Sequence, residues 1–306
     1  MSGSRKECIW SDIFWLITLA AIWGSSFAAI KIAINSMPPM TLVAMRTVIA
    51  VIILYPIMTL SRSKMPSKRR SWQIGIVLSV FGIVLPFFLI GWGERRVESG
   101  LAAILMAVMP LTTIVLAHFL NKNDSLTWAK LTGVIIGFCS VIILIGFEAI
   151  EGIGVEVLSQ LAIAGAAVCY AINAVLTRNL PDDAHAGSMI GRAFMVMVCG
   201  ASITVPLAIM IDGPMAFLNT NANGWFASIY LGILPTGLAT LIYFHLVEAR
   251  GASFFSFVNY LNPVFGVFWG VVLLSEEISL QAIFALGLVL IGIAVANLKR
   301  GKQPYV

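Results

Sequence analysis

The chain has 306 residues, 59% hydrophobic and 11% charged, with a formal net charge of +5. Ordinary soluble domains carry about 25% charged residues, so the composition excludes one. The surplus charge needs no nucleic-acid partner, because it collects in loops on one side. Apolar runs of roughly 20 residues recur along the length, each able to cross a hydrocarbon core of about 30 Å. Ten are predicted, over 12–34, 40–60, 72–92, 97–119, 127–146, 156–178, 187–211, 224–247, 251–274 and 279–298. Lipid offers the backbone no hydrogen-bond partners, and the runs lack the alternation of barrel strands, so all ten are predicted as helices.

The first run is too long and too polar at its far end for a cleaved signal peptide and is read as a retained helix. It holds "WGSSFAAIK", Trp23 to Lys31. Here Ala20, Gly24 and Ala28 form a small-residue stripe suited to close helix contact. Ser25 and Ser26 can return their hydroxyls to the preceding turn and allow a bend. Trp23 and Phe27 share a face. Lys31 stands about one turn from the helix end, where it either snorkels to headgroups or anchors a carboxylate at the outer mouth. Arg46 and Arg192 lie a few residues inside the second and seventh runs, where each must snorkel or find a partner. Arg46 with Glu94, and Arg192 with Glu248, would make one ion bridge at each end of the molecule. Pro110 and Pro263 each free a backbone carbonyl one turn earlier, which is tolerated where the helix lines a cavity or packs on protein.

No aspartate or glutamate falls near the middle of a run, so no membrane-embedded carboxylate is expected to take part in function. His118 and His245 fall near helix ends, as interfacial histidines. Cys8, Cys139, Cys169 and Cys199 have neither metal nor redox spacing and read as small hydrophobes. Neither a cofactor motif nor H-E-x-x-H metal spacing occurs, and the spans hold no nucleophile or paired-carboxylate site, which argues against a membrane-embedded enzyme.

With the N-terminus inside, the cytoplasmic side collects fourteen basic residues, Arg5, Lys6, Arg62, Lys64, Lys68, Arg69, Arg70, Lys122, Lys130, Arg178, Arg250, Lys299, Arg300 and Lys302. The other side holds Arg95 and Arg96, with the acids Glu148, Glu151 and Glu156 in one of its loops. The positive-inside rule therefore puts both termini in the cytoplasm. The halves also align. "LPFFLIGWGERRVESGLAAILMAVMP" (85–110) matches "TGLATLIYFHLVEARGASFFSFVNYLNP" (236–263), which sets Pro110 on Pro263 and Glu94 on Glu248. Gly133 then falls on Gly287, and nearer the start Arg46 falls on Arg192. An odd number of helices separates the equivalents, so the second half enters from the opposite side. Two inverted repeats are expected, 1–147 and 148–306, an architecture common among secondary transporters.

The chain resembles the drug/metabolite transporter superfamily, specifically its EamA-type ten-helix members. The resemblance rests on "AIWGSSFAAIKIAI" (21–34), on Arg46, and on "EARGASFFSFVNYLNPVFGVFWGVVLLSEEISLQAIFALGLVLIGIAVA" (248–296). Two features depart from the family: "LLSEE" stands where Gly-Glu is usual, and Cys169-Tyr170 where a tryptophan is common. The resemblance implies alternating access around a central cavity between the first, third, fourth, sixth, eighth and ninth helices. Its apolar wall would be Trp23, Phe27, Trp92, Met106 and Met109, and its polar wall Tyr170, Asn173, Tyr243, Asn259 and Asn262. Such a cavity suits an amphipathic solute, above all an aromatic or large apolar amino acid. A nucleoside, an S-adenosylmethionine-like or a drug-like solute is the alternative, and the asparagines could instead be helix-helix glue. A bacterial inner-membrane exporter is expected, with a small-molecule substrate and the lipid bilayer as partners, sufficient as a monomer and open to dimerisation.

Overall fold

The computed structural model describes residues 3–120, 126–145, 154–179 and 187–298. Lys122, the acids Glu148 and Glu151, and the basic tail Lys299, Arg300 and Lys302 lie outside them, as do the side chains of Arg5, Lys6 and Cys8. Every regular element among the described residues is helical. Among the described residues nine stretches are long and apolar enough to cross a membrane, and a shorter apolar helix covers Val258–Leu274.

The elements in order are α1 (Gly3–Ile34), α2 (Pro39–Leu60), α3 (Arg69–Ser79) and α4 (Leu85–Gly93). A π turn over Val80–Val84 joins α3 to α4 within one span. Next come α5 (Ser99–Met106), α6 (Met109–Leu120), α7 (Trp128–Ile145), α8 (Val155–Arg178) and α9 (Met189–Ile211). A second π turn, Gly232–Leu238, joins α10 (Ala222–Leu231) to α11 (Ala239–Phe255), and α12 (Val258–Leu274) and α13 (Leu280–Asn297) close the chain.

Two expected helices are not continuous. The run expected at 97–119 breaks at Ala107–Val108, where Ala107 N and Val108 N bond the carbonyls of Ile104 and Leu105, three residues back. Pro110 stands just beyond and cannot donate to Met106, so the α-helical ladder ends there. The run expected at 251–274 is cut twice. Gly251 takes φ +79°, a left-handed conformation that L side chains avoid, and a further turn precedes α12.

The tightest helix contacts use glycine. A Cβ on Gly133 would meet the Gly292 carbonyl at 2.4 Å, so α7 and α13 run backbone to backbone. A Cβ on Gly24 would lie 2.6 Å from Phe265 Cβ and 2.8 Å from Gly266 N, so α1 and α12 meet along the small-residue stripe with Ala20 and Ala28 fully buried. Ser25 Oγ bonds Ile22 O at 2.7 Å and Ser26 Oγ bonds Trp23 O at 2.5 Å, which satisfies both hydroxyls within the helix.

Candidate functional site

The interior is organised by four interruptions: the two π turns and the breaks before α6 and α12. The second π turn has a legible cause. Pro235 lacks an N–H, so it orphans the Leu231 carbonyl four residues back. Thr236 Oγ1 donates to that carbonyl at 2.7 Å, and with its hydrogen committed it accepts from Arg46 Nε at 3.2 Å and Nη2 at 3.0 Å. The Arg46 guanidinium also lies 3.7 Å over the Phe87 ring. Trp23 Nε1 donates to Pro235 O at 3.1 Å. One proline-induced irregularity thus gathers α1, α2, α4 and α11.

The expected cavity residues separate into groups. Trp23 packs edge-on to Phe255 and beside Tyr243, whose ring is 4.7 Å from Phe255. Phe27, on the same face of α1, is instead 5% exposed within the main core beside Ala103 and Gly266. Met106 and Tyr170 pack against that same core. Trp92, Met109 and Pro110 are half-buried at helix ends or breaks, Asn259 is half-buried on α12, and Pro263 is buried there. Asn173, from α8, lies against Gly82 of the first π turn. Its Oδ1 and that of Asn262 are buried without a hydrogen-bond partner. Buried amide oxygens cost free energy unless something satisfies them. A groove of about 310 Å³ runs between α3 and α8, lined by Arg70, Gln73, Ile74, Val77, Leu78 and Leu176.

The two ends of the helical array are tied differently. At one end Lys31 neither snorkels nor bonds a carboxylate: Nζ donates to Glu94 O at 2.6 Å and Val97 O at 2.8 Å, capping α4. Glu94 is fully buried, and neither of its side-chain oxygens has a partner. Burial pushes its carboxyl well above the ordinary carboxylate range; Lys31 and Arg46 pull it down, and Glu276 pushes it further up. Arg46 therefore does not bridge to Glu94 as expected; the Thr236 hydroxyl takes its bonds. Glu276, in the acidic turn singled out in the sequence, accepts from Ser99 N at 2.7 Å and Gly100 N at 2.9 Å, capping α5. Asp212 accepts from Thr41 N and Oγ1 at 2.7 and 2.8 Å, capping α2.

At the other end the described ion pairs centre on Asp12 of α1. This residue is 2% exposed; Arg250 Nε donates to it, and His245 Nε2 stands 3.5 Å away. Glu248, expected opposite Arg192, is exposed, while Arg192 is half-buried near the start of α9. Sequence reasoning passed over Asp12 because it sits at a span boundary. The signal was present: it is the one acid in the first apolar run. Thr236 and the π turns were also missed, though Pro86 and Pro235 inside apolar runs could have marked them.

Comparison with known proteins adds the class. Residues 10–146 and 157–298 each match the EamA-like transporter family. An S-adenosylmethionine/S-adenosylhomocysteine transporter of Chlamydia trachomatis (serovar L2) is 25% identical over 98% of this chain and 93% of its own length. An uncharacterized transporter of Archaeoglobus fulgidus is 26% identical over 94% and 99%. The uncharacterized inner membrane transporter YedA of Escherichia coli K12 is 25% identical over 94% and 91%. A solved crystal structure shares the fold, with a TM-score of 0.63 at 21% identity, over 94% of this chain and 98% of that one. With nine apolar spans among the described residues and both halves matched, the chain is a multi-pass protein of the bacterial inner (plasma) membrane and belongs to the EamA-like transporter family of the drug/metabolite transporter superfamily.

Proposed function

We propose that the protein exports small amphipathic metabolites, above all amino acids with aromatic or large apolar side chains, by alternating access between two inverted five-helix halves. The observation that carries this is the pair of buried, unpartnered amide oxygens of Asn173, which lies against the first π turn, and of Asn262 on α12, in a bundle of interrupted helices. Irregular backbone at membrane depth is a device of substrate sites, and π turns concentrate at functional positions.

The ten-helix count takes α12 as the tenth span. Helix packing supports the inverted repeat. The contacts of α1 with α12 have a counterpart in α8 with α5 and α6, and those of α4 with α8 in α1 with α10 and α11. The pairs α2–α9 and α7–α13 map onto themselves under the same exchange. The basic-loop bias supports two cytoplasmic termini. Acids of the candidate spans sit at their ends, as Asp12, Glu156 and Glu248, so the cycle is read as needing no mid-membrane carboxylate. The chemistry is differential binding to two conformations rather than catalysis, and one copy suffices.

The test is counterflow in liposomes holding purified protein, without an ion gradient. Labelled phenylalanine or leucine should exchange against the unlabelled amino acid, and an imposed pH gradient should drive no accumulation. The names of the Chlamydia relatives favour a second reading, an S-adenosylmethionine-like substrate. Exchange of S-adenosylmethionine with S-adenosylhomocysteine, and of no simple amino acid, would select it. Transport restricted to polyamines or nucleosides would sink both.

A further inference from the structure

We infer that Arg46 anchors the carboxylate of the transported solute, and that Asn173 receives its ammonium group. Arg46 is 5% exposed, and no described carboxylate stands within ion-pair distance of it. A buried guanidinium is rare unless its charge and its donors are matched. The match here is partial and directional. Nε and Nη2, the side-on edge, converge on the single oxygen of Thr236. That hydroxyl is then saturated, because its own hydrogen goes to Leu231 O. The end-on fork, Nη1 with the second hydrogen of Nη2, has no acceptor among the described residues. Two parallel N–H groups on a rigid plane fit a carboxylate bidentately. The plane is also held in place, with Phe87 on its face and Thr236 on its edge, so little side-chain entropy remains to be lost on binding.

Helix α8, which packs on α4, supplies the complement. Asn173 lies against Gly82 of the π turn that leads into α4, the helix whose Phe87 covers the Arg46 guanidinium, and Tyr170 shares its helix face one turn earlier. The buried Oδ1 of Asn173 lacks a donor, and an ammonium group supplies one. An α-amino acid head has this pair of groups on one carbon, and S-adenosylmethionine carries the same head. The anchor thus rests on the transport reading above and serves both of its substrate classes, with the side chain or nucleoside left to the aromatic cluster around Trp23.

The experiment compares solutes that differ only at the head: phenylalanine, phenylalaninamide, which lacks the carboxylate, and 3-phenylpropionate, which lacks the ammonium. Each is read as a competitor of counterflow and as a shift of melting temperature in detergent. Wild type should prefer phenylalanine to the amide by about 10- to 100-fold, the reading for losing charge-assisted hydrogen bonds. Arg46→Gln should lower phenylalanine to the level of the amide and leave the amide unchanged, with Arg46→Lys between them. Asn173→Leu should erase the preference over 3-phenylpropionate alone. S-adenosylmethionine against its decarboxylated form gives the same comparison for the larger solute. Wild type transporting these solutes without carboxylate preference, or Arg46→Gln keeping it, overturns the anchor and leaves the transport reading standing. If Arg46→Gln fails to elute as a folded monodisperse species, the wild-type and Arg46→Lys ratios decide. If no carboxylate solute is carried or shifts the melting of wild type, the anchor and the transport reading fall together.

Discussion

Glu94 shows how one residue stores a cost that the surrounding fold does not offset. Its carboxyl is fully buried, both oxygens lack partners, and the nearby Lys31 spends its donors on the backbone carbonyls of Glu94 and Val97. Burial disfavours the ionised form, so the folded chain holds the proton above the ordinary value of 4.5 at which the unfolded chain releases it. Between these two points the folded state binds more protons than the unfolded one. Stability is therefore complete in acid and falls as pH rises above about 4.5 towards the raised value. Glu94→Gln, which cannot ionise, should flatten this slope and raise the neutral-pH melting temperature by about 2–4 °C, the reading for roughly 1 kcal/mol. Melting curves in detergent between pH 4 and 9 check it, and an unchanged slope in the variant would show that other groups set it.

At the scale of elements, what the sequence reveals depends on whether a feature is local. The ten apolar runs, the small-residue stripe of α1 and the backbone-returning serines follow from composition and spacing, and nine of the runs are full-length spans in the structure. Pro110 foreshadowed the break before α6, whereas Pro263 stands inside α12 and does not mark the turn that precedes it. Caps supplied from afar were illegible: Glu276 closes the start of α5 across 176 residues to Gly100, and Asp212 closes α2 across 171 to Thr41. Nothing in a linear reading pairs these groups. The Arg46–Thr236 contact, 190 residues apart, is of the same kind. The Glu276 cap has a measurable consequence. Ser99 and Gly100 are buried, so Glu276→Ala leaves two N–H groups without acceptors and should cost about 1–3 kcal/mol. Glu276→Gln keeps one acceptor oxygen and should cost less. Chemical or thermal unfolding of the two variants ranks them, and equal losses would mean that the carboxylate acts by charge alone.

At the scale of the whole molecule, alternating access requires that the ties at one end yield while those at the other hold. The ends are built unequally. At the Lys31 end the bonds are mainly side chain to backbone and cap helices, so breaking them leaves buried backbone groups without partners. At the other end Asp12 of α1 grips Arg250 and faces His245 on α11, a side-chain contact between two helices that can part without unfolding either. Gly251, with its left-handed backbone, follows Arg250 directly and kinks α11 there. Asp12 is 2% exposed, whereas the Arg250 side chain is 27% exposed, so the two partners are not equivalent. Arg250→Gln strands a buried carboxylate and should destabilise by about 2–4 kcal/mol; Asp12→Asn releases a cation that can reach solvent and should cost less. The double variant should recover part of the Arg250→Gln loss, because the stranded charge is gone. If this contact is the latch, Asp12→Asn should also speed reaction of a membrane-impermeant thiol reagent with a cysteine placed at Ile242, added from the Arg250 side, while stability stays near wild type. Faster labelling from that side together with the unequal single-variant losses supports a latch at Asp12. Additive losses with unchanged labelling would make the contact ordinary surface pairing and move the gate elsewhere.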